Sequence, residues 1–82
     1  MNPIDKIRFF IKENMAIIND DAILNDTDNI FEQGFVDSMF AMQLVNFVES
    51  EFDIKVENED LDINNFNSVR NISLFIERKQ HI

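Results

Sequence analysis

The sequence contains no cysteine, tryptophan or tyrosine, and its 82 residues include one glycine, one proline and one histidine. Without cysteine, neither disulfides nor thiolate zinc sites can form, and any thiol chemistry needs a sulfur supplied from outside the chain. The single histidine, His81, stands next to the last residue, where chains fray, and no second histidine or cysteine accompanies it. We therefore expect no catalytic residues and predict that the protein is not an enzyme.

A calcium loop is the nearest approach to a metal motif. Asp60-Leu-Asp-Ile-Asn64 resembles the first half of such a loop. The loop needs glycine at its sixth position and glutamate at its twelfth, and Asn65 and Asn71 occupy those positions here. The sequence therefore predicts no metal site.

Basic residues are also scarce, and long apolar runs are missing. Seven lysines and arginines face sixteen acidic residues, which gives a net charge of -9. This balance disfavours nucleic acid and anionic membrane surfaces, and it favours solubility and basic protein partners. No apolar run reaches the roughly 18 residues of a membrane span, and no basic and apolar leader is visible. We expect a cytoplasmic monomer.

The residues that are present predict one small all-α domain over residues 1–82. Apolar residues make up 45% of the chain, including nine phenylalanines, which is enough for one core. Helical periodicity and capping residues predict a small four-helix bundle of three main helices and one short helix, with a long loop between helices 1 and 2. The predicted helices run from Pro3 to about Asn19, from Asp37 or Ser38 to between Glu51 and Asp53, from Glu57 to about Ile63, and from Ser68 onward. The long loop runs from Asn19 to Gly34, pinned by Ile23, Leu24, Ile30 and Phe31.

The stretch that begins at Gly34, the only glycine, holds the best candidate for chemistry. Asp37 and Ser38 stand at the threshold of the second helix, and Asp-Ser pairs in this position most often serve as N-caps. The alternative is a covalent attachment site on Ser38, because the N-terminus of a helix favours a phosphate ester. Met39 places a large apolar group beside the hydroxyl, where a cap alone needs none. No neighbouring group could deprotonate Ser38, so it would be the substrate of another enzyme.

Gly34-Phe-Val-Asp-Ser-Met39 resembles the phosphopantetheine attachment site of acyl carrier proteins, whose usual core is Asp-Ser-Leu. Downstream, Glu49-Ser-Glu-Phe-Asp-Ile-Lys-Val56 is similar to the end of that family's second helix and the loop after it. Helix order and loop lengths extend the resemblance over nearly the whole chain. The resemblance implies that Ser38 carries covalent 4'-phosphopantetheine from coenzyme A, with Asp37 and Met39 beside it.

The partners implied by the resemblance are a phosphopantetheinyl transferase, acyl-loading and modifying enzymes, and a ketosynthase or acyltransferase. We expect them to meet a surface formed by Phe40, Met42, Gln43 and Glu49. Fatty-acid carriers place acidic residues where Phe40 and Gln43 stand here. The chain is more similar to discrete carriers of polyketide and nonribosomal pathways that bear hydroxymalonyl, methoxymalonyl or aminomalonyl extender units. Two alternatives stay open: an aminoacyl (D-alanyl or peptidyl) carrier, and an unmodified helical interaction module.

Overall fold

Three α-helices and two short 3₁₀ turns form the regular structure of residues 2–14 and 24–80, the part of the chain that the computed structural model describes. The elements are α1 (Pro3–Glu13), α2 (Phe40–Phe52), a 3₁₀ turn at Asn58–Asp60, a second at Ile63–Asn65, and α3 (Val69–Gln80). These two ranges contain no β-strand, as the all-α prediction requires. The expected short third helix corresponds to the two 3₁₀ turns, which Leu61 and Asp62 connect.

The first helix begins where its capping residues predict. The Asn2 side chain accepts a hydrogen bond from the Asp5 N–H at 2.9 Å, and Pro3 occupies the first helical position, where no N–H is needed. The described helix ends at Glu13. The predicted continuation to about Asn19 lies outside the described residues.

The connection that leads into α2 is held by buried apolar side chains and by α3. Leu24 and Ile30 are buried as predicted, and Phe31 packs partly against the core, whereas Ile23 lies outside the described residues. The Ile30 N–H donates to the Asn67 carbonyl at 2.8 Å, which ties the loop to the start of α3. These contacts fix the position of the loop where it leads into α2.

Phe40, the first residue of α2, belongs to the core and not to the surface. Its side chain is 4% exposed, and its ring stacks on Phe10 of α1 with 5.5 Å between ring centroids. Phe10 stacks in turn on Phe47 at 4.1 Å, so aromatic rings fill the seam between α1 and α2. The expectation that Phe40 contacts partner proteins is therefore wrong, because the aromatic seam buries its ring.

Replacing Phe40 by alanine should lower the free energy of unfolding by about 3–5 kcal/mol, because it removes a buried aromatic ring and leaves a cavity. Replacing the exposed neighbour Met39 by alanine should change it by less than about 0.5 kcal/mol. Urea denaturation followed by circular dichroism measures both values. Equal losses for the two variants would contradict the burial of Phe40.

Candidate functional site

The approach to α2 turns at Gly34, which has a φ of +74° in the left-handed region that favours glycine. The N–H groups of Phe35 and Val36 both donate to the Ile30 carbonyl, at 3.1 and 3.3 Å, and close the turn. Val36 then enters the core. The only glycine of the chain therefore lies in a turn that backbone hydrogen bonds close.

Asp37, Ser38 and Met39 form an exposed segment between two buried anchors. Val36 before it and Phe40 after it are both buried, and the three residues between them are exposed. The chain is therefore anchored in the core just before and just after Asp37, Ser38 and Met39, which lie at the surface. We call these three residues the exposed triplet.

Within the exposed triplet, Asp37 provides the capping interaction. Its Oδ1 accepts a hydrogen bond from the Phe40 N–H at 3.1 Å, and the backbone carbonyl of Ser38 accepts one from Ala41 at 3.2 Å. Among the described residues, no hydrogen bond involves the Ser38 hydroxyl. The carboxylate of Asp37 thus makes the capping hydrogen bond, and Ser38 beside it is exposed.

Two of the predicted partner residues continue from the triplet along one face of α2. Met39, Met42 and Gln43 are spaced at i, i+3 and i+4, and all three are exposed, Met39 to 78%. We call them the methionine face. Glu49 is used differently: its Oε2 accepts the Val56 N–H at 2.9 Å and fixes the chain after α2.

An apolar groove of about 260 Å³ opens one helical turn beyond Ser38. Ala41, Met42 and Val45 of α2 form one side of it. The other side and the base consist of Leu61, Asp62, Ile63, Phe66 and Phe31. The resemblance also implies that Val48, Phe52, Val56 and Leu61 line the core near any bound acyl chain. Of these four residues, only Leu61 lines this groove.

Sequence reasoning missed the contribution of Ile63 and Phe31 to the groove. Both are apolar residues inside polar turns, and this is the only signal that could have singled them out. Their partner Met42 lies far from both in the sequence, so the pattern of one segment alone does not reveal the pairing.

The segment from Glu57 to Asn65, which carries Leu61 and Ile63, forms the outer side of the groove, and we call it the groove wall. Asp60 lies at its centre and accepts hydrogen bonds through Oδ2 from Lys79 Nζ at 2.8 Å and from the Glu57 N–H at 3.0 Å. This ion pair joins the groove wall to the last turn of α3. Asp60, the first residue of the calcium-like stretch, is thus bound to an ammonium group.

No three His, Cys, Asp or Glu side chains come together as metal ligands within residues 2–14 and 24–80. His81 lies outside these ranges. None of the helices in the same two ranges has the length and apolar character that crossing a bilayer requires.

Ser38 is thus an exposed serine that lies between two buried anchors just before a helix begins. A family model described as "Phosphopantetheine attachment site" matches residues 5–76, and the chain belongs to this family. Its domains carry a covalently attached 4'-phosphopantetheine group, are generally non-catalytic, and interact with phosphopantetheinyl transferases and partner enzymes. No match was found among curated proteins or among solved structures.

The ion pair in the groove wall should make stability depend on pH. The hydrogen bond from Lys79, followed by that from the Glu57 N–H, lowers the pKa of Asp60, and the positive charge of Arg78 acts in the same direction. The hydrogen bond to Asp60 raises the pKa of Lys79, with help from the charges of Glu57 and Glu59. Because Asp60 has a lower pKa in the folded than in the unfolded chain, its contribution is present at neutral pH and lost as pH falls below about 4.

Asp60→Asn should therefore lower the free energy of unfolding at pH 7, and the difference from wild type should shrink at pH 3. Urea denaturation at the two pH values measures this difference. Glu77→Gln, which makes the same charge change on an exposed position of α3, serves as the control and should show no such narrowing. A difference between wild type and Asp60→Asn that is the same at both pH values would contradict the assignment.

Proposed function

We propose that Ser38 is the attachment site of 4'-phosphopantetheine and that the protein carries an acyl group as a thioester between enzymes. The observation that carries this proposal is the exposed triplet, in which Asp37 caps α2 and the Ser38 hydroxyl is exposed. A serine used only as a cap would direct its hydroxyl at the N–H groups of the first helical turn.

The residues around Ser38 fit a phosphodiester. The N-terminus of α2 favours negative charge, and the first turn of the helix contains no acidic residue that would oppose it. Exposure of Asp37 and Met39 on either side gives a modifying enzyme access to the hydroxyl. When bound, the group supplies the thiol that this cysteine-free chain lacks.

Asp37 and Met39 are the residues that a phosphopantetheinyl transferase would contact first. The methionine face, Met39, Met42 and Gln43, continues from them and is the surface we assign to the acyl-loading and modifying enzymes and to a ketosynthase or acyltransferase. Its side chains are uncharged and mostly apolar. Partners that dock here would gain binding energy from apolar burial around the two methionines more than from charge pairing.

The cargo we propose is a small extender unit of the hydroxymalonyl, methoxymalonyl or aminomalonyl type, used in a polyketide or hybrid nonribosomal pathway. The similarity of Gly34–Val45 and Phe47–Glu49 to carriers of that kind supports it. Such a unit is small and polar, so it gains little from an apolar groove and would remain in solvent. Incubation with candidate loading enzymes, read by intact mass, separates it from the alternative of an aminoacyl cargo.

Incubation with coenzyme A and a broad-specificity phosphopantetheinyl transferase should raise the mass of the wild-type protein by one phosphopantetheine. Ser38→Ala should abolish the increase completely, because the acceptor oxygen is gone. Ser50→Ala, at an exposed serine near the other end of α2, is the matched control and should be modified like wild type. Intact-protein mass spectrometry gives the result.

An unmodified wild type would refute the attachment site and favour the interaction module. In that case a partner should bind Ser38→Ala and wild type with equal affinity, and Met42→Ala should lower the affinity. Met42 suits this test because its side chain is exposed, whereas truncation of the buried Phe40 would disturb the core.

Asp37→Asn should keep the cap and remove the charge, because asparagine is as good an N-cap as aspartate. If the transferase binds the carboxylate, its KM for Asp37→Asn should be about tenfold higher than for wild type, because one charged contact with the transferase is lost. The free energy of unfolding should not change. Steady-state kinetics of modification and urea denaturation provide the two values. A normal KM would assign Asp37 to the cap alone.

A further inference from the structure

The groove wall is held in place with little help from hydrophobic burial. Its two apolar side chains, Leu61 and Ile63, are 52% and 56% exposed and face the groove. Its regular structure consists of two 3₁₀ turns of three residues each. Such short turns are weak on their own, so contacts from another element must fix the wall.

Those contacts come from the last turn of α3. Lys79 binds Asp60 at 2.8 Å, and Arg78 Nη2 donates to Asn65 Oδ1 at 3.0 Å. The Asn65 side chain also donates to the Asp60 carbonyl at 2.9 Å, so the two connections meet within the wall. The far end of the groove wall is therefore joined to α3 by polar bonds at two positions.

The ion pair between Lys79 and Asp60 is the most shielded one in the described residues. Their side chains are 16% and 19% exposed, whereas in each of the other ion pairs both side chains are more exposed. The α3 helix that supplies Lys79 is itself anchored in the core by Ile72, Phe75 and Ile76. A shielded pair on a firmly anchored helix is well suited to hold a weak segment.

We propose that Lys79 is a positioning residue which, through Asp60, holds the groove wall against α3 and so sets how far the groove beside α2 is open. The part of this inference that concerns a tethered apolar chain rests on the proposed attachment site at Ser38. The small polar unit proposed above would stay in solvent, so an apolar chain is used to probe the groove. Lys79 lies in the last turn of α3, and the exposed triplet lies at the start of α2. Its loss should therefore alter the groove and leave modification of Ser38 unchanged.

Hydrogen exchange of the unmodified protein tests the positioning role without any cargo. In Lys79→Met, amides bonded within the groove wall, such as those of Asp60, Leu61 and Asn65, should exchange about twofold to fivefold faster than in wild type. Lys79→Arg should restore wild-type exchange because it keeps the cation. Lys55→Met is the matched control: it removes an exposed lysine for which the described residues show no ion pair.

Faster exchange confined to residues 57–66 supports the proposal. Unchanged exchange in Lys79→Met overturns it, and so does an increase spread evenly over the helices, since that would report general destabilisation. An equal effect of Lys55→Met would also overturn it, by assigning the change to net charge.

A second measurement concerns the cargo. The transferase is supplied with hexanoyl-coenzyme A, and the cleavage of the protein-bound thioester by hydroxylamine is followed by mass. Cleavage should be about twofold to fivefold faster in Lys79→Met than in wild type or Lys55→Met, because an open groove shields an apolar chain less. Equal rates would overturn the role of the wall in shielding an apolar chain that is tethered to Ser38. Failure of every variant to take up the group would refute the proposed function, and the exchange result would still decide the role of Lys79.

Discussion

The burial of Phe40 is the interaction on which the candidate site depends. Its ring stacks on Phe10 and fixes the start of α2 against α1. With Val36 buried on the other side, only three residues separate two points at which the chain enters the core. So short a span cannot fold inward, and Ser38 at its middle is exposed. The position of the hydroxyl is thus a result of hydrophobic packing, although the residue itself makes no apolar contact that the core requires.

Local signals in the sequence were sufficient for the starts of α1 and α3, and they failed for side chains whose role depends on distant residues. Asn2 and Ser68 cap α1 and α3 as their positions predict, since a cap involves only the next few residues. Phe40 was assigned to the surface because related carriers have acids at that position, and the aromatic seam that buries it became visible only in three dimensions. The bond between Asp60 and Lys79 spans 19 positions, and no periodic pattern reveals a contact of that range.

The strong negative charge has a structural side that composition does not reveal. Several acidic side chains accept hydrogen bonds from backbone N–H groups in turns or at helix starts, a role that needs an acceptor and no partner cation. They are Asp28, Asp37, Glu49, Asp60 and Asp62. Because the chain has only one glycine and one proline, its turns depend largely on the hydrogen bonds that these carboxylates accept. Part of the acidity therefore serves the fold, and these carboxylates keep their charge while they do so.

Gly34 places a particular kind of constraint on the route into the site. A Cβ added there would meet no atom within 4 Å, so the surroundings have room for a side chain. The obstacle is the φ of +74°, which strains an L-residue whatever its size. Asparagine, which tolerates this region better than other L-residues, is the replacement that such a turn accepts most readily. Position 34, just before the exposed serine, is therefore restricted by the backbone conformation that L-residues disfavour and not by lack of space for a side chain.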